Sequence, residues 1–488
     1  MALSNDHNEI TTDYIETLDS EVFTGFLQSL SNLPQTADNQ LVSVTLPIAG
    51  IDPLAALELQ PDVEEKFYWD HPDHQISISA GGNIAELRAT GSDRFAEISR
   101  MTAEIKERIS AFTSLSHSMA GPLFLGGYSF NDHNIGKIWK QFGAARFVLP
   151  EWMLVRDGNL HLLTLILEKK DLEIYEIYQS VIEKVTDFLN LAGKLTTIKP
   201  RNVSEKNVLC SLQHPDEHSR WIKNVKTARK LIHEGRFEKI VLARSYDVES
   251  KCRVRPTVLS HNLRQKYPGC FNFMIQIDQN TSFLGATPER LASFQKGTLL
   301  TEGLAGTAGR GKSALEDAAI ANSLLQSKKD RSEHDYVVRA IDSSLRPFSY
   351  RIEHPKQPRV KKLQNVQHLF TPISASVKSG VAIHQLIEKL HPTPAVGGFP
   401  REEAMRYIQH IDQVDRGWYA GPVGWFNLNG SGEFAVAIRS ALLHNQRATL
   451  FAGCGIVKDS DPEKEWNETL SKLKPMLDAL NQLEEPYA

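Results

Sequence analysis

Residues 439–473 read RSALLHNQRATLFAGCGIVKDSDPEKEWNETLSKL, and the last third of the chain is organised around them. The first half is largely apolar, which predicts a β-strand, and Gly453 and Gly455 mark the turn at its end. Serine, aspartate and proline at 460–462 predict the start of a helix, because short polar side chains cap helices and proline fits the first turn. The stretch therefore predicts a strand that leads into a C-terminal helix.

Glu465, Glu468 and Lys472 lie three and four residues apart in this helix, so their side chains project from one face. Two carboxylates at this spacing suit a hard divalent cation such as Mg²⁺, which prefers oxygen ligands. The alternative is a solvated helix face with an ordinary ion pair between Glu468 and Lys472. Asp330 and Glu333, in the helix-like segment KKDRSEHDYVVRAI, repeat the spacing. The pattern therefore predicts two helices that hold one Mg²⁺ between their carboxylates.

The composition is that of a soluble globular protein. The chain has 488 residues, 41% hydrophobic and 23% charged, which is enough for two to three ordinary domains or for one large domain. A net charge of −4 provides no global basic field, so nucleic-acid binding is not indicated.

The cysteines and the N-terminus predict a cytoplasmic protein. The cysteines form no CxxC pair and are too few to staple a chain of this length, so we expect reduced thiols. No apolar run approaches the length of a membrane span. The N-terminal stretch MALSNDHNEITTDYIETLDSE is acidic and holds no Arg or Lys, which is atypical of a signal or transit peptide. The four cysteines are Cys210, Cys252, Cys270 and Cys454.

The chain divides into two stretches. Residues 1–205 alternate short strands with a few helices, one of which is predicted over 93–112 from apolar positions three and four apart. A polar segment with two prolines at 196–219 is the predicted linker. Residues 216–488 carry the motifs that indicate chemistry, and a helix is predicted from Asp216 to its stop at Gly235.

Two motifs in the chain have competing interpretations. Residues 306–313 read GTAGRGKS, which matches the phosphate-binding pattern GxxxxGK followed by Ser or Thr. Such a loop should follow a buried strand, but Thr301, Glu302 and Gly303 interrupt the apolar residues before it. His71 and His74 lie three residues apart, but without a third ligand a polar turn is favoured over a metal site.

Lys239 and Glu289 are candidates for acid–base catalysis. Lys239 leads the apolar strand KIVLA, and burial favours the neutral amine, which can act as a general base. Glu289 lies in the apolar turn GATPERL, where it can stay protonated and act as a general acid. The alternative is a lysine at a strand end in solvent and a glutamate paired with a neighbouring cation.

Eight segments in order resemble the chorismate-utilising enzymes, a group that includes isochorismate synthase, salicylate synthase and the large subunits of anthranilate and aminodeoxychorismate synthase. The resemblance covers residues 216–480 and implies an α+β fold with two large, mostly antiparallel sheets packed face to face and helices outside. It also makes GTAGRGKS part of a substrate loop. The segments are KIVLARS, FLGATPERL, LAGTAGRG, KDRSEHDYVV, LHPTPAVGGFP, DRGWYAGPVGW, FAVAIRSA and AGCGIVKDSDPEKEWNETLSKL.

The resemblance assigns roles to individual residues. Lys239 would be the base that activates water and Glu289 the acid that protonates the departing hydroxyl. The Mg²⁺ ligands would be Glu333 and Glu468, with Asp330 and Glu465 reaching the ion directly or through water. The substrate-binding residues would be Gly306, Thr307, His391, Ala395, Tyr419, Arg439, Gly453 and Lys472.

Three positions indicate which reaction of the group to expect. Lys239 stands where anthranilate synthases usually carry glutamine, so the nucleophile is predicted to be water rather than ammonia. Ala395 stands where salicylate synthases typically carry threonine, although Tyr419 is also seen in salicylate synthases and leaves a lyase side activity open. The prediction is a Mg²⁺-dependent isochorismate synthase that acts on chorismate and needs no glutaminase partner.

Other interpretations stay open at this point. They are a salicylate synthase, an aminating enzyme, a nucleotide-binding protein that uses GTAGRGKS, and a non-catalytic subunit. The complete set of Lys239, Glu289, Glu333 and Glu468 speaks against a non-catalytic subunit. The downstream pathway, whether to menaquinone, siderophores or salicylate, and the oligomeric state are left open by the sequence.

Overall fold

The computed structural model describes residues 40–482 and positions 25 and 28, except for positions 49, 61, 114, 133–134, 170–173, 196–208, 252, 365 and 413. The α-helices between residues 40 and 482 are α1 (Pro53–Glu58), α2 (Arg94–Arg108), α3 (Ile174–Leu195), α4 (Glu217–His233), α5 (Pro256–Lys266), α6 (Ala314–Gln326), α7 (Lys328–Leu345), α8 (Ile383–Leu390), α9 (Arg401–Ile411) and α10 (Pro462–Asn481). No helix in this part of the chain has the length and apolarity that a membrane crossing requires.

The strands alternate with these helices along the whole chain. They are β1 (Leu41–Pro47), β2 (Lys66–His71), β3 (Ile76–Gly81), β4 (Ala85–Ala89), β5 (Ile109–Thr113), β6 (Leu123–Tyr128), β7 (Ala145–Leu149), β8 (Trp152–Asp157), β9 (Leu160–Glu168), β10 (Leu209–Ser211), β11 (Lys239–Ser250), β12 (Phe271–Gln276), β13 (Thr281–Thr287), β14 (Arg290–Gln295), β15 (Thr298–Gly309), β16 (Ser349–Glu353), β17 (Arg359–Lys362), β18 (Val366–Val377), β19 (Gly398–Phe399), β20 (Pro422–Asn427), β21 (Gly432–Val436), β22 (Ser440–His444) and β23 (Arg447–Ile456).

The strands form two large sheets, as predicted. The 13-stranded sheet has the order β10-β11-β23-β22-β13-β12-β2-β3-β8-β9-β1-β5, with β19 beside β11. The 10-stranded sheet has the order β16-β18-β15-β14-β21-β20-β6-β7-β4, with β17 beside β18. The pairing of β1 with β5 is parallel, and the other pairings between described strands are antiparallel. The predicted stretches 1–205 and 216–488 share both sheets, since β2 pairs with β12 and β6 with β20.

The hydrophobic core has two clusters. One lies between the two sheets, and the other lies on the outer face of the larger sheet. Successive side chains of a strand point to opposite faces. In β2, Trp69 joins a core cluster that also holds Phe124 of the smaller sheet, whereas Tyr68 joins a second cluster with Leu259 of α5 and Leu473 of α10. A strand buried on both faces has a continuous apolar sequence, which explains the run around FYW. The helices therefore cover the outside, as predicted.

Two of the connections that carry the chain from one sheet to the other lie side by side. The first joins β13 to β14 and contains Glu289, and the second joins β21 to β22 and contains Arg439. The N–H of Val436 donates to the Glu289 carbonyl (3.0 Å), and the N–H of Ala286 donates to the Arg439 carbonyl (3.2 Å). Arg439 has φ +53°, which is uncommon for a residue other than glycine.

Two local predictions were wrong because long-range pairing overrode the local pattern. The helix predicted over 93–112 ends at Arg108, and the residues from Ile109 form β5, which pairs with β1. The polar residues at 301–303 do not interrupt a strand, since they lie inside β15. There the Thr301 hydroxyl donates to the Leu291 carbonyl (2.7 Å).

Several other local predictions are confirmed. Helix α4 falls within the predicted helical segment with Trp221, Val225 and Ala228 buried. The side chain of Asp461 caps α10 by accepting from the Lys464 N–H (2.9 Å). Within the predicted linker, 196–208 lie outside the described residues and β10 follows them. The thiols of Cys210, Cys270 and Cys454 are free, and Cys252 is outside the described residues.

A buried ion pair ties the strand β11 to the loop after α9, and its removal should be costly. Asp412 accepts from Arg416 Nε (2.6 Å) and from the Ala243 N–H (2.7 Å), while the other Arg416 nitrogens donate to the Val241 and Val396 carbonyls. The substitution Asp412→Ala leaves a buried guanidinium without its counter-charge. We expect the free energy of unfolding, measured by urea denaturation, to fall by about 3–5 kcal/mol.

The control is an exposed pair, Glu249 with Arg447 (3.5 Å). Glu249→Ala should change the free energy of unfolding by no more than about 0.5 kcal/mol. Equal effects of the two substitutions would show that burial gives the Asp412 pair no special weight.

Candidate active site

All of the predicted site residues except His391 meet in one cavity of about 230 Å³. A larger groove of about 1190 Å³ lies elsewhere, beside the β14–β15 and β20–β21 turns, but none of the predicted site residues lines it. The smaller cavity is therefore the candidate active site. Its lining includes Lys239, Glu289, Gly306, Thr307, Asp330, Glu333, Ala395, Tyr419, Arg439, Gly453, Glu465, Glu468 and Lys472.

The strand β23 forms one wall of the cavity because its edge is open there. Its pairing with β22 ends at Leu450, and β11 continues on its other side as far as Ile456. Gly453 and Gly455 lie on this open segment, so the prediction that they mark a turn was wrong, because their pairing with β11 keeps them inside the strand. A Cβ at Gly453 would come within 2.8 Å of the Leu242 carbonyl, and one at Gly455 within 2.7 Å of the Lys239 side chain. Gly453 therefore cannot carry a side chain without a backbone shift, and a side chain at Gly455 would displace the end of Lys239.

Helices α7 and α10 supply the acidic wall. Ser327 caps α7 by accepting from the Asp330 N–H (3.2 Å), and its hydroxyl also donates to the Asp330 carboxylate. The next carboxylate of α7, Glu333, accepts from Lys239 Nζ (2.6 Å). On α10, Glu468 pairs with Lys472 Nζ (2.6 Å). Each helix thus brings an i,i+3 carboxylate pair to the cavity, as the spacing predicted.

The oxygen donors of this wall fit a hard divalent cation. Carboxylate oxygens of Glu465 and Glu468 lie within 4.8 Å of each other and of the Cys454 sulfur. Burial raises the pKa of Glu465, and the Glu468 carboxylate raises it further, so a cation would relieve their repulsion. Burial also raises the pKa of the Cys454 thiol, which donates to the Glu465 carbonyl (3.2 Å) and is no ligand for a hard ion.

Lys239 and Glu289 differ in their surroundings. Burial raises the pKa of Glu333, but the ammonium groups of Lys239, Lys329 and Lys472 together outweigh this and hold it below its usual value. The buried Lys239 amine thus has a carboxylate partner on α7. Burial, with Glu302 next in effect, raises the pKa of Glu289 to about 7, so this carboxyl holds a proton near neutral pH. The Thr393 hydroxyl donates to Glu289 Oε1 (3.4 Å).

The remaining wall offers hydrogen-bond donors to an anionic ligand. Among the described residues, no carboxylate forms an ion pair with Arg439, and a guanidinium can bind a carboxylate through two parallel hydrogen bonds. Lys472 also donates to the Gly453 carbonyl (2.8 Å). Burial raises the pKa of Tyr419 to about 12, so its hydroxyl stays protonated. Its ring stacks on Phe451 with centroids 5.2 Å apart.

Two histidines differ from what the sequence indicated. The structure does not place His391 in the cavity lining, because its Nε2 donates to the Phe130 carbonyl (3.1 Å) and the ring is buried. His368 lines the cavity instead and lies 3.0 Å from the Thr307 hydroxyl through Nδ1. A single histidine in the strand β18 has no local signature in the sequence. Only the pairing of β18 with β15 places His368 beside Thr307 at the cavity.

The segment GTAGRGKS does not form a phosphate cradle. Its first residues complete β15, and Ser313 caps α6. The Gly311 N–H donates to Asp317 (3.0 Å), and the Lys312 N–H donates to Glu316 (2.7 Å). Both backbone donors thus face carboxylates of the first turn of α6, which would repel a phosphate. The geometry favours the substrate loop over the nucleotide site.

Comparisons with known proteins agree with this geometry. The family model "Chorismate binding enzyme" matches residues 28–481. The chain is 33% identical to the isochorismate synthase MenF of Bacillus subtilis (strain 168) over 462 residues, which cover 93% of this chain and 96% of that protein. It is 36% identical to the salicylate biosynthesis isochorismate synthase of Pseudomonas aeruginosa over 452 residues, 90% of each chain.

A solved structure is similar over nearly the whole length. It is MenF, the menaquinone-specific isochorismate synthase of Escherichia coli, with a TM-score of 0.74 and 25% sequence identity. The match covers 94% of this chain and 100% of the other.

Proposed function

Because the chain belongs to the chorismate-binding enzymes, we propose that it is a Mg²⁺-dependent isochorismate synthase that converts chorismate to isochorismate. One observation carries the proposal. A single cavity holds the amine of Lys239, the protonated carboxyl of Glu289 and the guanidinium of Arg439, beside carboxylates of two helices. That guanidinium forms no ion pair with any carboxylate in the described part of the chain. A base, an acid and an anion site are what the reaction needs.

The wall of hydrogen-bond donors would bind the two carboxylates of chorismate. Arg439 and Lys472 provide the positive charge, and Tyr419 and His368 add neutral polar groups on the same cavity. Backbone groups at Gly306, Thr307 and Gly453 lie beside them. These contacts would fix the ring so that one face meets Lys239 and the 4-hydroxyl meets Glu289. Such positioning accounts for much of the rate that an enzyme gains.

The cation belongs to the acidic wall. Glu333 and Glu468 would hold it, with Asp330 and Glu465 beside them, and the bound ion would polarise the ring carboxylate and withdraw electrons from the ring.

The proton transfers then fall to two residues of the chain. Lys239, once its amine is neutral, accepts a proton from the water whose oxygen bonds to C2. The ring double bonds shift and the C4–O bond breaks. Glu289 donates its proton to the departing hydroxyl, which leaves as water. One water is consumed and one is released, so the reaction is an isomerisation that can run in both directions.

Product analysis tests this proposal. The purified chain is incubated with chorismate, with and without Mg²⁺ and ammonia, and the products are separated by chromatography while pyruvate is assayed. Isochorismate without matching pyruvate, and only with Mg²⁺, is the expected result. Salicylate with equal pyruvate would instead indicate a salicylate synthase, the reaction that Tyr419 left open. No turnover under any of these conditions would contradict an enzymatic role on chorismate.

Glu289→Gln should lower kcat by about 10²–10⁴-fold, because glutamine cannot donate the proton that a general acid supplies. A group with a pKa raised to about 7 is protonated below that pH and loses its proton above it. The wild-type rate should therefore fall as the pH rises through about 7, and this limb of the pH–rate profile should disappear in the variant.

The control for this substitution is Glu217→Gln. Burial also raises the pKa of Glu217, but this residue lies outside the cavity. It should leave kcat and the pH profile as in the wild type. A Glu289→Gln variant with wild-type kcat would remove the acid from the scheme.

A further inference from the structure

The turn that carries Glu289 is held from outside the cavity by an ion pair that neither the sequence motifs nor the proposed chemistry include. Glu302 of β15 accepts from the Arg290 N–H (2.9 Å). Lys361 of β17 donates to the Pro288 carbonyl (3.0 Å) and to Glu302 Oε1 (3.2 Å). The two side chains therefore hold the peptide groups immediately before and after Glu289.

The backbone of the turn depends on these side chains because the strand ladders end there. The register of β14 with β21 shifts between Arg290 and Ala292, and the pairing of β14 with β15 begins only at Ser293. The Arg290 N–H thus has no partner on the β15 backbone, and Glu302 takes that place. An N–H that is shielded from water and has no acceptor is unfavourable, so the contact with Glu302 stabilises the turn.

The pair is also a charged pair in a buried place. Glu302 is 8% exposed, and the Lys361 ammonium is its counter-charge. The two charges act on Glu289 in opposite directions, since Glu302 raises its pKa and Lys361 lowers it. On the cavity side, Lys239 lowers this pKa and Thr393 contributes a hydroxyl. Glu302, Lys361 and Lys239 are the charged groups that act most strongly on Glu289.

We propose that Glu302 and Lys361 are positioning residues that hold the Pro288–Arg290 turn and so aim the Glu289 carboxyl at the substrate. The inference rests on the proposed function, because Glu289 is aimed only if it donates a proton to bound chorismate. Neither residue lines the cavity, so their effect reaches the reaction through Glu289. A shift of about 1 Å in a catalytic group can cost about 10²-fold in rate.

The first test compares two adjacent lysines of β17. Lys361→Met removes the contact with Pro288 and Glu302, whereas Lys362→Met removes the contact of Lys362 with Asp317 (2.8 Å) at the start of α6. We expect Lys361→Met to lower kcat about 10–100-fold with KM unchanged. Lys362→Met should leave both constants at wild-type values, and Lys361→Arg should restore part of the rate.

The second test separates positioning from general stability. In the Glu289→Gln background, Lys361→Met should lower kcat no further, because two residues that act through one group are not additive. An equal loss of kcat in both backgrounds would overturn the proposal. So would a lower melting temperature for Lys361→Met with no change in kcat, because the pair would then serve only stability.

The third test uses charge and does not require turnover. Glu302→Gln keeps the acceptor for the Arg290 N–H but removes the negative charge, so the titration of Glu289 should move to lower pH. Lys361→Met should move it to higher pH. The infrared difference between each protein and its Glu289→Gln counterpart isolates this carboxyl during a pH titration. If both substitutions shifted the titration of Glu289 in the same direction, or if neither shifted it, the proposed action of Glu302 and Lys361 on Glu289 would be contradicted.

The outcomes distinguish the two proposals. The wild type could make no isochorismate while the Glu302→Gln and Lys361→Met variants still shift the titration of Glu289 in opposite directions. This result would refute the proposed reaction and leave the action of Glu302 and Lys361 on Glu289 in place. If the wild type makes isochorismate and the Lys361 and Glu302 variants keep its kcat and its Glu289 titration, the proposed reaction stands and the positioning role of the two residues is refuted.

Discussion

Lys239→Ala is expected to lower the conversion of chorismate by about 10²–10⁴-fold, the contribution of a general base, while the protein stays folded. Lys239 begins β11, and its side chain passes over Gly455 to reach Glu333 at 2.6 Å. Alanine keeps the strand, since β11 pairs with β23 over ten positions that do not involve this side chain. Only the amine is lost, so the effect should appear in kcat.

A matched variant separates the two roles of this amine. Lys239→Gln keeps a donor for Glu333 but cannot take a proton from water, so it should be as inactive as Lys239→Ala. Turnover is measured by chromatography of isochorismate, and the fold is checked by circular dichroism and thermal unfolding. Wild-type activity in Lys239→Ala would refute the assignment of the base.

Glu333→Gln and Glu468→Gln are each expected to abolish both activity and its response to Mg²⁺. Loss of a group that merely supports a metal ligand costs about 10–100-fold in affinity, so the loss of a direct carboxylate ligand should cost at least about 10²-fold. The two residues come from α7 and α10, and the ion would bridge these helices. Mg²⁺ titration of the rate and calorimetric titration of the free protein with Mg²⁺ measure the effect.

The control for this pair is Glu463→Gln. Glu463 lies in the first turn of α10, two residues before Glu465, but pairs with His218 (3.0 Å) outside the cavity. The Glu463→Gln variant should bind Mg²⁺ as the wild type does. If Glu333→Gln and Glu468→Gln both kept their Mg²⁺ dependence, the ion would bind elsewhere.

Local signals predicted the elements that carry the site. The SDP at 460–462 marks the start of α10, where Asp461 caps the helix, and the i,i+3 spacings place two carboxylate pairs on one cavity. These signals are readable because capping and helical periodicity depend only on neighbours in sequence. The resemblance added the two-sheet fold, which local periodicity alone does not reveal.

Features that depend on distant partners could not be predicted locally. The residues from Ile109 form a strand because β1 lies beside them, and Thr301 stays in β15 because the Leu291 carbonyl accepts from its hydroxyl. His368 reaches the cavity through its neighbour Thr307 on the paired strand. Glu302 looked like an interruption of a strand, whereas its carboxylate contacts Arg290 and Lys361 across the sheet.

Two neighbouring crossings between the sheets limit how the enzyme can open. Glu289 and Arg439 sit on connections that are hydrogen-bonded to each other, and each connection is anchored in both sheets. If one sheet rotated away from the other, both connections would be stretched at Glu289 and Arg439, which line the cavity. We infer that the two sheets stay together when a ligand enters the cavity, because separating them would disrupt both connections.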